Sequence, residues 1–366
     1  MRNKLASLQN LPRSPLGSHV TKAYHHLADF GGGPVLQWLR SYWKNRIGRK
    51  HPFQTWKTVS GVFTMPDVTK ISIAGDWGSG TQEAAWVAQQ IKNANPNYTI
   101  HLGDVYYVGD QAETESNFLG MNSAPGYVPC IWPDGSARDF ALQGNHEMYA
   151  RGYAYFDSVL PVFNQEASFF CLENDYWRVV GLDTGYNSVS IPLIEEIIPP
   201  SCLLNKQQLD WLRNVVFRKK DNKGIIFLTH HQYFSAFEKQ YPKLGEQLAE
   251  FSDVPVLWIW GHEHRFAIYG RHRLGNGIEA YGRCIGHGGM PVELCAIKNH
   301  SAPLLFTDTR SRSTEGITVG YNGHANLTFA CDSLHINYVD LMGLSVICEK
   351  FTATTNGVAF KGFVPC

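Results

Sequence analysis

Along most of this chain, short apolar runs stop at polar residues, and a glycine often marks the stop. Residues 70–74, 98–102, 140–143, 224–228 and 254–260 each read as a buried strand, too short for a helix and rich in branched or aromatic side chains. Just past them come Asp76, Asp104, Asn145, His230 and His262. Between the strands, Ser79 or Thr81 can cap a helix running through Ala94. Asn205 caps another, on which Leu209, Leu212 and Val216 share a face. Residues 168–182 read as a hairpin with its turn near Glu173, Asn174 and Asp175. From about Leu327 the pattern is strand-like, with a hairpin turn at Thr354-Thr355-Asn356-Gly357. Strand alternating with helix predicts an α/β fold.

Before residue 66 this rhythm is missing. Val35, Leu36, Trp38, Leu39 and Trp43 have helical spacing, and the basic string Lys44-Asn45-Arg46-Ile47-Gly48-Arg49-Lys50 follows. The predicted organisation is an N-terminal extension at 1–65, partly helical, and one catalytic domain at 66–366. Within that domain the motif core spans 68–290 and C-terminal strands span 300–366. The basic string reads as a solvated helix end, with membrane contact through 35–50 as the alternative.

Composition narrows the class. The chain has 366 residues, 44% hydrophobic and 17% charged, as in ordinary globular proteins. Its formal net charge is zero, so no basic field draws in nucleic acid. No apolar segment of signal-peptide type opens the chain, Pro12 and Pro15 interrupt what is there, and no run approaches the ~20 residues of a membrane span. A cytoplasmic protein is expected. The eight cysteines form no C-x-x-C pair and read as buried small hydrophobes, with disulfides left open.

The strand-end residues carry the chemistry. Gly75-Asp76-Trp77-Gly78, Gly103-Asp104-Val105-Tyr106-Tyr107, Gly144-Asn145-His146-Glu147, Thr229-His230-His231 and Gly261-His262-Glu263-His264 occur in that order. Gly286-His287-Gly288-Gly289 is a weaker sixth signal. A lone Gly-Asp is usually a turn, and a lone histidine is usually a core residue. Together, Asp76, Asp104, Tyr107, Asn145, His230, His262 and His264 form an inventory of carboxylate, phenol, amide and imidazole that can hold two metal ions. Two such ions supply what phosphoester hydrolysis needs: charge neutralisation, an activated water and help for the leaving group.

This motif set resembles the calcineurin-like metallophosphoesterase superfamily, and within it the purple acid phosphatase branch. Asp76-Trp77-Gly78 lacks the histidine that most members carry two residues after the aspartate. Tyr107, three residues after Asp104, matches the branch. The resemblance implies a four-layer α/β/β/α sandwich of two mixed sheets flanked by helices. It implies Asp76, Tyr107 and His264 on a first metal, Asp104 bridging, and Asn145, His230 and His262 on a second. The hard anionic set suits Fe(III), and the second suits Zn(II), Fe(II) or Mn(II), with a divalent pair as the alternative in a reducing compartment. A hydroxide on the metal pair would be the nucleophile. His146 and His231 are the implied catalytic side chains, and His146, His231 and His287 the substrate contacts. Glu147 would orient an imidazole. His231 joins the site only if strand geometry ends there, since neighbours on a strand point to opposite faces. The expected reaction is hydrolysis of a small phosphomonoester, with a cyclic-nucleotide or lipid-headgroup diester as the alternative. Trp132 and Tyr127, in the loop 111–139, could wall the substrate pocket. The N-terminal β-domain of plant-type enzymes is absent.

Overall fold

The computed structural model describes residues 49–123, 128–189, 201–314 and 316–366. The expected helix at 35–43 and Tyr127 lie outside them. The strands, in chain order, are β1 Val62–Thr64, β2 Val68–Ala74, β3 Tyr98–His101, β4 Arg138–Ala141, β5 Phe170–Glu173, β6 Trp177–Gly181, β7 Gly224–Thr229, β8 Val256–Trp260, β9 Phe266–Arg273 and β10 Glu279–Ile285. They continue as β11 Leu304–Thr307, β12 Arg312–Thr314, β13 Ile317–Val319, β14 Gly323–Ala330, β15 Ser333–Asp340, β16 Ser345–Thr354 and β17 Gly357–Val364. One large sheet runs β1-β5-β6-β7-β8-β10-β9-β11, the other β17-β16-β15-β14-β2-β3-β4, and β12 and β13 form a separate pair.

Strand alternation sorts the side chains into layers. In β7, Ile226 and Leu228 face the space between the sheets, while Ile225 and Phe227 face outward. In β8, Leu257 and Ile259 face inward, and Val256, Trp258 and Trp260 outward. The inner residues meet Ile71, Ile73, Ile100 and Phe140 of the second sheet. Helix Gln82–Ala94 covers that sheet's outer face with Ala84, Val87 and Ile91. Thr81 caps it by accepting from the Ala84 amide, and Asn205 caps helix Lys206–Trp211 by accepting from Gln208. The fold is the expected α/β arrangement of two large mixed sheets with few helices.

Parallel pairings β2–β3–β4 and β6–β7–β8 bring several strand C-termini to one edge of the sandwich. β4 ends at Ala141, two residues before the expected end; the Leu142 amide still donates to the His101 carbonyl, and the Gln143 side chain donates to Asp183. Residues 49–65 lie against the sandwich: β1 pairs with β5, and Trp56 donates to the Phe169 carbonyl. Trp132 does not line a substrate pocket. It is buried, donates to Thr99 Oγ1, and packs against Trp77 and Phe118. Cys348 and Cys366 form a disulfide, while Cys130, Cys171, Cys202 and Cys284 are buried thiols. Among the described residues no helix is long and apolar enough to cross a membrane.

Candidate metal centre

The turns after the strands build the site. Asp76, Asp104 and His262 all have left-handed backbone, with φ of 58°, 74° and 63°. Such conformations are costly for non-glycine residues and persist where surrounding contacts enforce them. Here the contacts are visible: the His262 amide donates to Asp76 Oδ2 at 2.7 Å, and the His146 amide to Asp104 Oδ1 at 3.0 Å. Gly144 permits this approach. A Cβ there would lie 2.0 Å from Asp104 Oδ1.

Asp104 sits at the centre. Its Oδ2 is 3.1 Å from the Tyr106 hydroxyl on one side and 3.2 Å from His230 Nε2 on the other. The Tyr106 hydroxyl also reaches Asp76 Oδ1 at 2.7 Å and His264 Nε2 at 3.0 Å. Asn145 Oδ1 lies 3.2 Å from His230 Nε2. The Asn145 amide donates to the Tyr149 hydroxyl, which leaves Oδ1 turned toward the imidazole. His230 Nδ1 donates to the Leu102 carbonyl, so Nε2 is the nitrogen that faces Asp104 and Asn145 and that a metal would take in place of a proton.

These atoms fit a metal. Ligand atoms of Asp76, Asp104 and His230 lie within 4.8 Å of one another, as do those of His230, His231 and His262. His262 Nδ1 is buried with no hydrogen-bond partner, an orphan that a cation would satisfy. Charge gives the same answer. Burial, reinforced by Asp104, pushes the Asp76 carboxyl up to about 8. Asp104 stays well below the usual range because His230 and His146 outweigh its burial. Burial alone would lower His230, but Asp104 and Asp76 raise it to about 9. Burial lowers His262 to about 3 and His264 to about 4. Two buried carboxylates this close need positive charge, which His230 carries without metal, and the neutral imidazoles of His262 and His264 are ready ligands.

Three expectations change. The phenol that the structure places on both carboxylates is that of Tyr106, the neighbour of the expected Tyr107. A parallel bridge between Gly78 and Val105 extends the β2–β3 pairing past the turn, and Val105 packs outward. Alternation then turns Tyr106 inward and leaves Tyr107 half-buried beyond it. His287 is not brought to the cluster: it is buried, stacks on Phe266, and has Asp308 and Arg310 as its charged neighbours. Glu147 orients backbone instead of an imidazole, accepting from the Gly144 amide at 2.8 Å and the Asp104 amide at 3.2 Å.

His146 and His231 both reach the site. His146 overlies Tyr106, with Nδ1 on the Tyr107 carbonyl and Nε2 3.8 Å from Asp104. His231 faces inward because β7 ends at Thr229. Its Nδ1 is 3.0 Å from Thr184 Oγ1, a residue that spacing alone does not single out. A signal for it exists, since Leu182-Asp183-Thr184 is one more polar stop after an apolar strand.

The metal-free protein should lose stability as pH rises from about 6.5 to 9. Asp76 and Glu147, each raised to about 8, and His230, raised to about 9, hold extra protons in the folded state. The two carboxyl contributions fall from about pH 4 to 8 and that of His230 from about 6.5 to 9, so the losses coincide between about 6.5 and 8. Each group can contribute up to about 1.4 kcal/mol per pH unit. Thermal melts across this range, with and without added zinc or manganese, check it: metal should flatten the slope. A flat profile without metal would contradict the charge assignment.

Comparisons with known proteins identify the family and the fold. The family model described as calcineurin-like phosphoesterase matches residues 69–266. A comparison with curated proteins finds no match. Among solved structures, "GAP50 the anchor in the inner membrane complex of Plasmodium" aligns at TM-score 0.53 and 14% identity, covering 78% of this chain and 89% of that one. "Structure of PhoD" aligns at TM-score 0.51 and 12% identity, covering 82% of this chain and 73% of that one. At such identities the likeness concerns the fold.

Proposed function

This chain belongs to the calcineurin-like phosphoesterase family, and from that premise we propose that it is a purple acid phosphatase-like hydrolase of small phosphomonoesters. The observation that carries this reading is Asp104, placed between Tyr106 and Asp76 on one side and His230 and Asn145 on the other. Asp76, Tyr106 and His264 would hold one ion. Asn145, His230 and His262 would hold the second, and Asp104 would be shared. The phenol and carboxylates favour Fe(III) in the first position, and the imidazoles favour Zn(II), Fe(II) or Mn(II) in the second. When bound, the pair supplies Lewis acidity and activates water.

The chain's own residues do the rest. Tyr149 and Leu102 hold Asn145 and His230 with their lone pairs inward. Glu147 fixes the Asp104 and Gly144 turns. His146, part-exposed with Nδ1 committed to the Tyr107 carbonyl, presents Nε2 to the leaving oxygen and passes it a proton when charged.

The test is hydrolysis of a chromogenic phosphomonoester beside its diester counterpart. The protein is loaded with iron plus zinc or with manganese. Preference for the monoester by about tenfold or more in kcat/KM is expected. Preference for the diester would replace this reading with a phosphodiesterase.

The redox state of Cys348 and Cys366 in cells would report the compartment. A cytoplasmic protein keeps them as thiols, whereas an oxidising compartment keeps the bond. Alkylation before lysis, followed by mass spectrometry, separates the two.

A further inference from the structure

We propose that Thr184 is a positioning residue that makes His231 a fixed hydrogen-bond donor to the substrate's phosphoryl oxygens and bars it from metal ligation. This rests on the phosphoesterase reading, and it follows from counting protons at one buried hydroxyl.

Thr184 is fully buried and His231 nearly so. Thr184 Oγ1 accepts the His231 backbone N–H at 3.0 Å. The same oxygen lies 3.0 Å from His231 Nδ1. A threonine hydroxyl has one proton and two lone pairs. With one lone pair taken by the amide, the hydroxyl proton has Nδ1 as its acceptor, and a buried hydroxyl without an acceptor is costly. Nδ1 is therefore the lone-pair nitrogen of the neutral ring, and Nε2 carries the proton. Protonating the ring does not change this, because Nε2 keeps its proton and Nδ1 then donates to Thr184. In both forms Nε2 has no lone pair for a metal.

Its neighbour is arranged the opposite way. His230 gives its Nδ1 proton to the Leu102 carbonyl, so Nε2 is the nitrogen left for a metal once the ring is neutral. Adjacent histidines thus receive different tautomers from different partners, a carbonyl for the ligand and a hydroxyl for the donor. One ring nitrogen of His231 lies within 4.8 Å of those of His230 and His262, so with Nδ1 held by Thr184 the Nε2–H is what a phosphoryl oxygen at the metals would meet. Tyr241 and His262 flank the ring and limit its rotation. A donor aimed where phosphoryl charge develops favours the transition state over the ground state.

The test reads the tautomer directly. Histidine-15N-labelled, zinc-loaded protein is studied by long-range 1H–15N correlation, and His231 is assigned by comparison with His231→Gln. The expected pattern is an unprotonated Nδ1 and a protonated Nε2. Thr184→Val should shift Nδ1 away from its hydrogen-bonded position and reduce kcat and kcat/KM together, by about 10- to 100-fold, with KM and bound metal little changed. Thr184→Ser should restore both. A protonated Nδ1 in the parent protein would overturn the proposal, as would a valine variant with unaltered ring signals and kcat. If the valine variant fails to fold, the parent spectrum and the serine variant still decide. The tautomer is read without substrate, so it stands or fails separately from the ester assay.

Discussion

Asp104→Ala is expected to lower kcat/KM by more than about 10³-fold and to strip the protein of most bound metal. Losing one preorganised hydrogen-bond donor of an oxyanion hole already costs about 10² to 10³, and Asp104 is placed to serve both halves of the centre at once. The substitution also removes the acceptor for the His146 amide, so a substrate-facing imidazole loses its anchor. Asp104→Asn separates charge from shape. It keeps the side-chain volume and an oxygen, yet removes the negative charge that raises His230 and Asp76. The asparagine variant should therefore stay folded without metal and still bind metal poorly. Metal content by mass spectrometry, kcat/KM on a phosphomonoester and a thermal melt are read together. Activity near that of the parent in the alanine variant would sink the two-metal reading.

Most of the centre is legible in the amino-acid sequence and one position is not, and both facts have the same physical cause. Ligands at strand ends are announced locally, since an apolar run must stop, at a glycine in four of the five cases and at Thr229 before His230. Asp76, Asp104, Asn145, His230 and His262 all stand at such stops, and the sheets gather them to one edge. The layers are legible for the same reason: alternation in β7 and β8 assigns each side chain a face. Spacing does not show where alternation restarts after a turn. The bridge between Gly78 and Val105 resets the phase, and this shifts the phenol by one residue. His287 departs from expectation differently. A histidine between glycines resembles a site loop, yet Phe266 supplies a flat partner in the core and holds it there. Thr184 lacks any special spacing; its meaning comes from a hydrogen bond to a residue 47 positions away.

That one-residue phase produces the second large effect. In the iron-loaded protein, Tyr106→Phe should abolish a visible phenolate-to-iron charge-transfer band, while Tyr107→Phe should leave it intact. Burial, then Asp104 and Asp76, push the Tyr106 hydroxyl well above the usual phenol range. Without metal it remains protonated and donates to Asp76 Oδ1. Only a strongly charged ion can overcome two neighbouring carboxylates and draw out that proton, so colour would report Fe(III) at this position. Zinc- or manganese-loaded protein should be colourless with Tyr106 unionised. Removing the hydroxyl also frees Asp76 and His264 from their shared contact, so Tyr106→Phe should weaken activity by about 10- to 100-fold. Tyr107→Phe should cost far less, because the phenol that touches Asp76 and Asp104 is that of Tyr106. Loss of the band in Tyr107→Phe instead would mean that alternation does not restart at Val105. A colourless but active iron-loaded parent would mean that the phenol stays a hydrogen-bond donor to Asp76, and the first ion would then be held by the carboxylates and His264 without it.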